Sequence, residues 1–93
     1  MGPDDVFRAL AEPTRRALVE ALAHRGPSTA TELAADMPIS RQAVAKHLHH
    51  LQRAALVTSV RTGREIRYHL TVTPLARAVD WLEDVCGQVR RAA

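Results

Sequence analysis

The sequence contains little cysteine, few aromatic residues and no long apolar run. A single cysteine in 93 residues rules out an internal disulfide, and with it a small secreted scaffold held by disulfides. No apolar stretch approaches the roughly 20 residues that a membrane-spanning helix needs. With only Phe7, Tyr68 and Trp81 as aromatics, stacking on single-stranded nucleic acid lacks the several exposed rings it requires. We therefore expect a soluble, cytoplasmic chain with a core of Leu, Val and Ala.

The positive charge is concentrated in the middle of the chain. Residues 1–40 carry four arginines against six acids, and residues 68–93 balance three against three. Residues 41–67, in contrast, carry six basic residues against Glu65 alone. A basic segment within a folded domain is typical of a protein that binds a polyanion. The same charges also suit a solvated surface, so composition alone leaves both interpretations open.

Proline and glycine divide the chain into short elements, and a single domain over residues 1–93 is expected. Capping residues and apolar spacing predict four helices, over about residues 4–11, 14–25, 30–37 and 41–54. Thr29 and Glu32 have the spacing of a capping box, and Ser40 is placed to cap the fourth helix. In that helix Val44, Leu48 and Leu51 have the spacing of a buried stripe.

After Leu56 the pattern changes from a helical period to a strand period. Residues 57–61 and 65–70 are rich in strand-forming residues, and Gly63 lies between them, which predicts a β-hairpin. A last helix is expected over about residues 74–92. The predicted fold is therefore mainly α with a β-hairpin wing (α+β), a winged helix-turn-helix of order α-α-α-α-β-β-α.

The two helices before the hairpin form the predicted DNA-reading unit. Arg and Lys bind guanine edges and Gln binds adenine edges in the major groove. Arginines around the hairpin turn can reach flanking phosphates or the minor groove, although charges on an edge strand can also serve to oppose aggregation. The residues predicted to bind double-stranded DNA are Ser40, Arg41, Gln42, Ala45, Lys46, His49, Arg53, Arg61, Gly63, Arg64 and Arg67.

These motifs resemble the ArsR/SmtB-type family of winged-helix repressors, in particular its metal-free subgroup. The matching segments are Phe7–Leu18, Glu32–Ala34, Ile39–Leu48, Ala55–Val57 and Gly63–Leu70, so the similarity covers essentially the whole chain. The resemblance implies a homodimer that binds an imperfect inverted repeat near its own promoter, with the first and last helices at the interface. By position, Arg41, Gln42, Ala45 and Lys46 correspond to the groove-reading residues, and Arg61, Gly63 and Arg64 to the wing tip.

Apolar residues on the two terminal helices predict the dimer interface. On the last helix they recur every three to four residues over about four turns, more than so small a domain needs to close its own core. Two-fold symmetry would place the two reading helices about one DNA turn, roughly 34 Å, or a multiple of it apart. The predicted interface residues are Val6, Phe7, Leu10, Leu75, Val79, Leu82, Val85, Cys86 and Val89.

The sequence predicts neither a metal site nor an enzyme. The metal sensors of the family use a Cys-x-Cys before the reading helix or Asp and His pairs on the last helix, and this chain has neither. His47 and His50 have a spacing that can hold a metal, but no second cluster completes the site. No nucleophile, base and acid come together in the pattern, so no catalytic residue and no cofactor are expected.

Two alternatives to a simple repressor stay open. A winged-helix domain can also serve as a protein–protein interaction module, which would not need a basic reading face. A redox-sensing repressor would use Cys86 as a thiol switch if this residue approaches its partner in a dimer. In either repressor, His49 and His50 near bound DNA predict stronger binding below neutral pH, because phosphate raises the pKa of a nearby histidine.

Overall fold

Five helices and a three-stranded antiparallel sheet form the part of the chain described by a computed structural model, residues 3–93 with side chains from Asp4 onward. The helices are α1 (Pro3–Leu10), α2 (Pro13–Arg25), α3 (Ala30–Ala35), α4 (Arg41–Arg53) and α5 (Val72–Ala92), and the strands are β1 (Ser28–Thr29), β2 (Val57–Thr62) and β3 (Glu65–Leu70). The predicted mainly α fold with a hairpin wing is confirmed. Residues 1 and 2 of the predicted domain lie outside the described range.

Strand β1 is the one element that the sequence pattern does not predict. Ser28 pairs with Tyr68 and Thr29 with Arg67, which gives the sheet order β1-β3-β2. Two residues are too few to show the alternation by which a strand is recognised. Ser28 is buried, and its hydroxyl donates to the carbonyl of Gly26 at 2.9 Å. This short pairing joins the base of the hairpin to the start of α3.

The C-terminal end of α1 is capped by two arginine side chains from α2. The guanidinium of Arg15 donates to the carbonyls of Ala9 and Arg8, and that of Arg16 donates to the carbonyl of Leu10 at 2.7 Å. The last carbonyls of a helix have no partner within it and carry partial negative charge. The two guanidinium groups satisfy these carbonyls and fix α1 against α2.

Helix α4 ends in a turn that directs the chain into the wing. Ala55 has a left-handed backbone (φ 60°), and its N–H donates to the carbonyl of Gln52 at 2.9 Å. The N–H of Leu56 donates to the carbonyl of Leu51 at 3.0 Å, which completes a Schellman motif. Both leucines are fully buried, and this apolar contact accompanies the motif. An L-residue pays about 1–2 kcal/mol for this conformation, so the packed leucines hold the turn.

The core consists of leucine, valine and alanine, as the composition predicts. Leu18, Leu33, Leu48, Leu51 and Leu56 are completely enclosed. They come from α2, α3, α4 and the turn into β2, so the helix-turn-helix and the base of the wing share one core. Helix α5 contributes only Ala78 as a buried residue.

Helix α5 and the hairpin project from this core and give the chain an elongated shape of 54 × 25 × 20 Å. The radius of gyration is 15.0 Å, against about 12 Å for a compact chain of this length. The helix begins at Val72 rather than at Pro74, because proline is tolerated in a first turn whose N–H groups lack helical partners. Within residues 3–93, no helix is both long and apolar enough to cross a bilayer.

Candidate nucleic-acid interface

Local hydrogen bonds fix the two helices of the candidate reading unit. Thr29 Oγ1 accepts from the N–H of Glu32 at 3.1 Å, and Glu32 Oε1 accepts from the N–H of Thr29 at 2.9 Å, which is the predicted capping box. Ser40 Oγ accepts from the N–H of Ala43 at 3.1 Å and so begins α4. Residues 36–40 connect the helices, because α3 ends at Ala35, two residues before the predicted Met37.

Helix α4 has one buried face and one exposed face. Val44, Leu48 and Leu51 have no exposed surface, which fixes the rotation of the helix about its axis. The opposite face presents guanidinium, ammonium, amide and imidazole groups to solvent, from the exposed residues Arg41, Gln42, Lys46, His49 and Arg53. Ala45, half-buried among them, leaves room for a close approach. This face therefore carries hydrogen-bond donors at the N-terminal end of a rigid helix.

The hairpin tip carries two of the predicted wing arginines. The register pairs Thr62 with Glu65, so Gly63 and Arg64 form a two-residue loop. Gly63 has φ +62°, the left-handed backbone that such a loop requires at its first position. Arg61, Gly63 and Arg64 are exposed. The tip thus presents positive charge beside α4.

Arg67 belongs to the base of the wing rather than to its tip. Its Nη1 lies 3.2 Å from Glu32 Oε1 and 3.4 Å from the carbonyl oxygen of Pro27, and its Nη2 lies 3.2 Å from Glu65 Oε2. The guanidinium therefore joins β3 to the N-terminus of α3. Sequence spacing groups Arg67 with the tip arginines, since its partner Glu32 lies 35 residues away along the chain.

A cleft of about 580 Å³ separates the wing from α4. Arg41 and Ala45 line it on the helix side, and Arg64, Ile66 and Tyr68 line it on the wing side. Glu32 also faces this cleft. Its pKa is lowered, chiefly because the Thr29 N–H donates to the carboxylate. The cleft brings residues of α4 and of the wing to one concave surface.

The histidines of α4 have separate surroundings. His47 is partly buried, with Nδ1 3.7 Å from Glu12 Oε2 and without a hydrogen-bond partner. Desolvation, followed by the charges of Arg15 and the neighbouring basic side chains, lowers the pKa of His50 below 6.5. Among residues 3–93, no group of three or more His, Cys, Asp or Glu side chains is placed to hold a metal.

The predicted interface residues do not share one environment. Val79, Leu82, Val85, Cys86 and Val89 form an exposed stripe along α5. Leu75, Phe7 and Leu10 are partly buried against the core, whereas Val6 is only 3% exposed and packs inside the subunit. The spacing of apolar residues shows which of them share a helix face. It does not show whether that face packs against the rest of the same chain or lies open to solvent.

Trp81 is an exposed apolar residue that the sequence reasoning missed. Its ring lies 5.5 Å from that of Phe7 in an edge-to-face contact, and nearly half of its surface is exposed. It falls outside the predicted stripe because it occupies the adjoining flank of α5. Trp81 lies one helical turn before Val85, so a wider definition of the apolar stripe would have included it.

The chain resembles known helix-turn-helix regulators. Residues 10–60 match a protein family described as "Helix-turn-helix domain". An "HTH-type transcriptional regulator Rv2034" of Mycobacterium tuberculosis is 50% identical over 80% of this chain and 68% of its own length. A "Transcriptional repressor SdpR" of Bacillus subtilis is 33% identical over 85% of this chain and 87% of its own length.

A solved structure supports the same likeness in three dimensions. An "ArsR-like Transcriptional Regulator from Rhodococcus sp. RHA1" superposes with a TM-score of 0.82 and 40% identity. The match covers 97% of this chain and 84% of that chain. It therefore includes α1, α5 and the wing as well as the helix-turn-helix.

Proposed function

Because the chain belongs to the ArsR-type family of winged helix-turn-helix transcriptional regulators, we propose that it is a dimeric repressor that binds an inverted-repeat operator. Its family consists of DNA-binding regulators rather than enzymes. The observation that carries the proposal is the exposed basic face of α4, held by a fully buried opposite face. A sequence-reading helix needs both properties, since base contacts demand a fixed orientation in the groove.

The N-terminal half of α4 is the proposed base-reading segment. Arg41, Gln42 and Lys46 project from the first two turns, which in helix-turn-helix proteins enter the major groove. Ala45 permits close approach, and Ser40 places the N-terminal amides near a phosphate. His49 and Arg53, farther along the helix, would contact the DNA backbone.

The wing is proposed to position the protein on DNA rather than to read sequence. Arg61 and Arg64 at the tip would meet phosphates or the minor groove, and contacts of this kind carry little sequence information. Arg67 would contribute through its ion pairs with Glu32 and Glu65, which hold the base of the wing against α3. Gly63 permits the tight loop between the strands.

Dimerisation is proposed through α5 and the exposed part of α1. The isolated subunit exposes 6315 Å², about 1,000 Å² more than is typical of a folded monomer of 10.2 kDa. A stable interface buries about 800 Å² on each partner, so a partner copy covering α5 would remove an area of this size. Two-fold symmetry would then present the two α4 helices to successive turns of an inverted repeat.

We further propose that this regulator acts without a metal and in the cytoplasm, and that it represses its own gene. The described residues provide no cluster that would hold a metal, and Cys86 is the only cysteine of the chain. Zinc or cadmium should therefore leave operator affinity unchanged. A metal-dependent release from DNA would contradict this part of the proposal.

The experiment is fluorescence anisotropy with the DNA upstream of the chain's own gene and a scrambled duplex, at about 50 and 200 mM salt. We expect a preference for the upstream DNA that persists at the higher salt. Equal affinity that disappears with salt would mean electrostatic attraction only. Absence of binding at both salts would contradict the proposal and favour a protein-interaction module.

Two variants separate reading from positioning. Lys46→Ala should weaken binding to the operator by about 1–3 kcal/mol and reduce the preference over scrambled DNA. Arg64→Ala should weaken binding to both duplexes equally and lower the dependence on salt. Arg90→Ala, which removes an exposed arginine from the end of α5, is the matched control. If Lys46→Ala behaves like Arg90→Ala, the proposed reading face is wrong.

A further inference from the structure

A second, smaller cleft lies at the C-terminal end of α4 and shares only Arg53 with the predicted DNA-binding residues. It is open to solvent, has a volume of about 220 Å³ and is lined by α1, α2 and the last turn of α4. Its polar lining consists of three arginines, one histidine and one aspartate, contributed by Asp5, Arg8, Arg15, His50 and Arg53. Ala9 and Ala54, both buried, complete the wall.

The arginines of this cleft are not neutralised within the subunit. Across the described residues, no carboxylate lies within 4.0 Å of the guanidinium of Arg8, Arg15 or Arg53. With Asp5 as the only acid of the lining, the cleft carries a net charge of +2 when His50 is neutral. An uncompensated charge of this size in a concave site attracts anions.

One of these guanidinium groups is already fixed in place. Arg15 Nε and Nη2 donate to the carbonyls of Ala9 and Arg8 at the end of α1, which leaves its Nη1 outside these bonds. A planar guanidinium held in one orientation loses little further freedom when it binds an oxyanion. Arg8 and Arg53, whose side chains are exposed, can close on a ligand from two sides.

The geometry points to a binding site for a phosphate group in this cleft, held by Arg8, Arg15 and Arg53 with His50 as a fourth donor. Arginine donates in a fork that matches the oxygens of phosphate, and a protonated imidazole adds one charge-assisted bond. A volume of about 220 Å³ holds a phosphate group with several waters, since one water occupies about 30 Å³ in the liquid.

His50 reports on the occupancy of this site. The pKa of His50 is lowered by desolvation first and then by the charge of Arg15, with His49, His47 and Lys46 of its own helix acting in the same direction. Arg8 and Arg53 line the same cleft as His50, and Asp5 is the acid of the lining. A bound dianion would oppose these effects and raise the pKa of His50.

The test is a titration of the full chain with inorganic phosphate, at an ionic strength kept constant with sodium chloride, followed by proton NMR of the histidine rings. We expect phosphate to raise the pKa of His50 by about one pH unit, because an opposite charge within a few ångströms has an effect of this order. His24, exposed at the end of α2, serves as the reference within the same molecule. A change at His50 no larger than that at His24 would overturn the proposal.

Variants with opposite expected effects separate loss of the site from loss of the fold. Arg8→Gln and Arg53→Gln should each weaken phosphate binding several-fold, whereas Asp5→Asn should strengthen it several-fold by removing the opposing charge. Arg90→Gln is the matched control on α5. If Arg8→Gln and Arg53→Gln change phosphate affinity no more than Arg90→Gln does, the assignment is wrong.

The phosphate group can be that of a free small molecule or that of the DNA backbone, and a second titration distinguishes them. Duplex DNA is added at low salt, and His50 is then titrated with phosphate again. If the cleft is filled by backbone phosphate, DNA raises the pKa of His50 and prevents the response to free phosphate. If it takes a free anion, the response persists in the complex. Only this second titration rests on the proposed function, and the first tests the cleft without DNA.

Discussion

Helices α4 and α5 have the same kind of apolar pattern but opposite surroundings. Both repeat Leu and Val at helical spacing. In α4 these residues, among them Leu48, have no exposed surface. In α5 Leu82 is 46% exposed and Val89 is 65% exposed, and only Ala78 is buried. A single chain therefore buries the apolar face of α4 and leaves that of α5 largely exposed.

The difference shows what a hydrophobic pattern specifies. Periodicity determines which residues face the same way, and the rest of the fold determines what lies opposite that face. The α4 face meets α2, α3 and β2, whereas α5 packs mainly against α1 and continues beyond the end of the core. An exposed apolar stripe of this length is typical of an interaction surface.

The largest expected effect comes from shortening a leucine on the buried face. Leu48→Ala should lower the free energy of unfolding by about 2–5 kcal/mol, because it leaves a cavity among fully enclosed side chains. The loss should be similar at about 1 and 100 μM protein, since the contacts lie within one subunit. Urea denaturation at both concentrations measures it.

Leu82→Ala is the matched control for this measurement. The same atoms are removed from a side chain that the subunit leaves half-exposed, so any loss of stability should appear mainly at the higher concentration. If Leu82→Ala destabilises the chain as much as Leu48→Ala at the low concentration, the contrast between the two helices is wrong.

The next largest effect is expected from a charge on the exposed stripe. Leu82→Glu should weaken self-association by about 100-fold or more, because a symmetric interface would receive two unpaired carboxylates. Sedimentation equilibrium would measure the dissociation constant, and circular dichroism would show that the helices persist. Asp80→Asn, at an exposed polar position of the same helix, is the control. An unchanged association constant in Leu82→Glu would exclude α5 as the interface.

The smallest expected effect is on the pH dependence of stability. The helix-turn-helix is stabilised partly by the carboxylate of Glu32 at the start of α3, whereas the exposed stripe of α5 is apolar. The pKa of Glu32 lies below its usual 4.5, chiefly because the Thr29 N–H donates to the carboxylate. Burial has a smaller effect that raises this pKa, and the nearby charges of Arg67 and Arg25 lower it further. The unfolded chain takes up this proton at a higher pH than the folded chain. The stabilisation is therefore complete above pH 4.5 and is lost as the pH falls through the folded-state value.

Glu32→Gln keeps the capping geometry and removes the charge. The thermal midpoint of this variant should fall less than that of the unaltered chain as the pH decreases from about 7 to about 3. Glu20→Gln, at an exposed position on α2, should follow the unaltered chain. Identical pH profiles for the unaltered chain and Glu32→Gln would show that this carboxylate does not contribute.

Local chemistry explains how much of the fold the sequence predicts. The Thr29–Glu32 capping box, the Ser40 cap and the buried stripe of α4 depend on residues within a few positions of one another, and all three are present. The glycine turn of the hairpin is likewise a local signal. The helix boundaries shift by one or two residues, since proline and small residues are tolerated in first and last turns.

The features that the sequence does not predict depend on distant residues. Strand β1 exists because β3, some 40 residues later, offers it a partner. Arg67 lies at the base of the wing because it pairs with Glu32, and Val6 lies in the core because α1 packs against both α2 and α5. The DNA-reading residues and the interface stay predictions, since both concern a second molecule.

The three-stranded part of the sheet also sets the mechanics of the wing. Strand β1 pairs only with Arg67 and Tyr68, so the hairpin is clamped on its inner half while residues 61–66 extend as a two-stranded ribbon. Such a ribbon bends more easily at its tip than at its base, because an isolated pair of strands has no third strand or core to stiffen it. In the proposed complex with DNA, the tip would thus follow local variations in the width of the groove. Such a deflection would leave α4 undisturbed, so the proposed reading helix would suit operators whose flanks differ in shape.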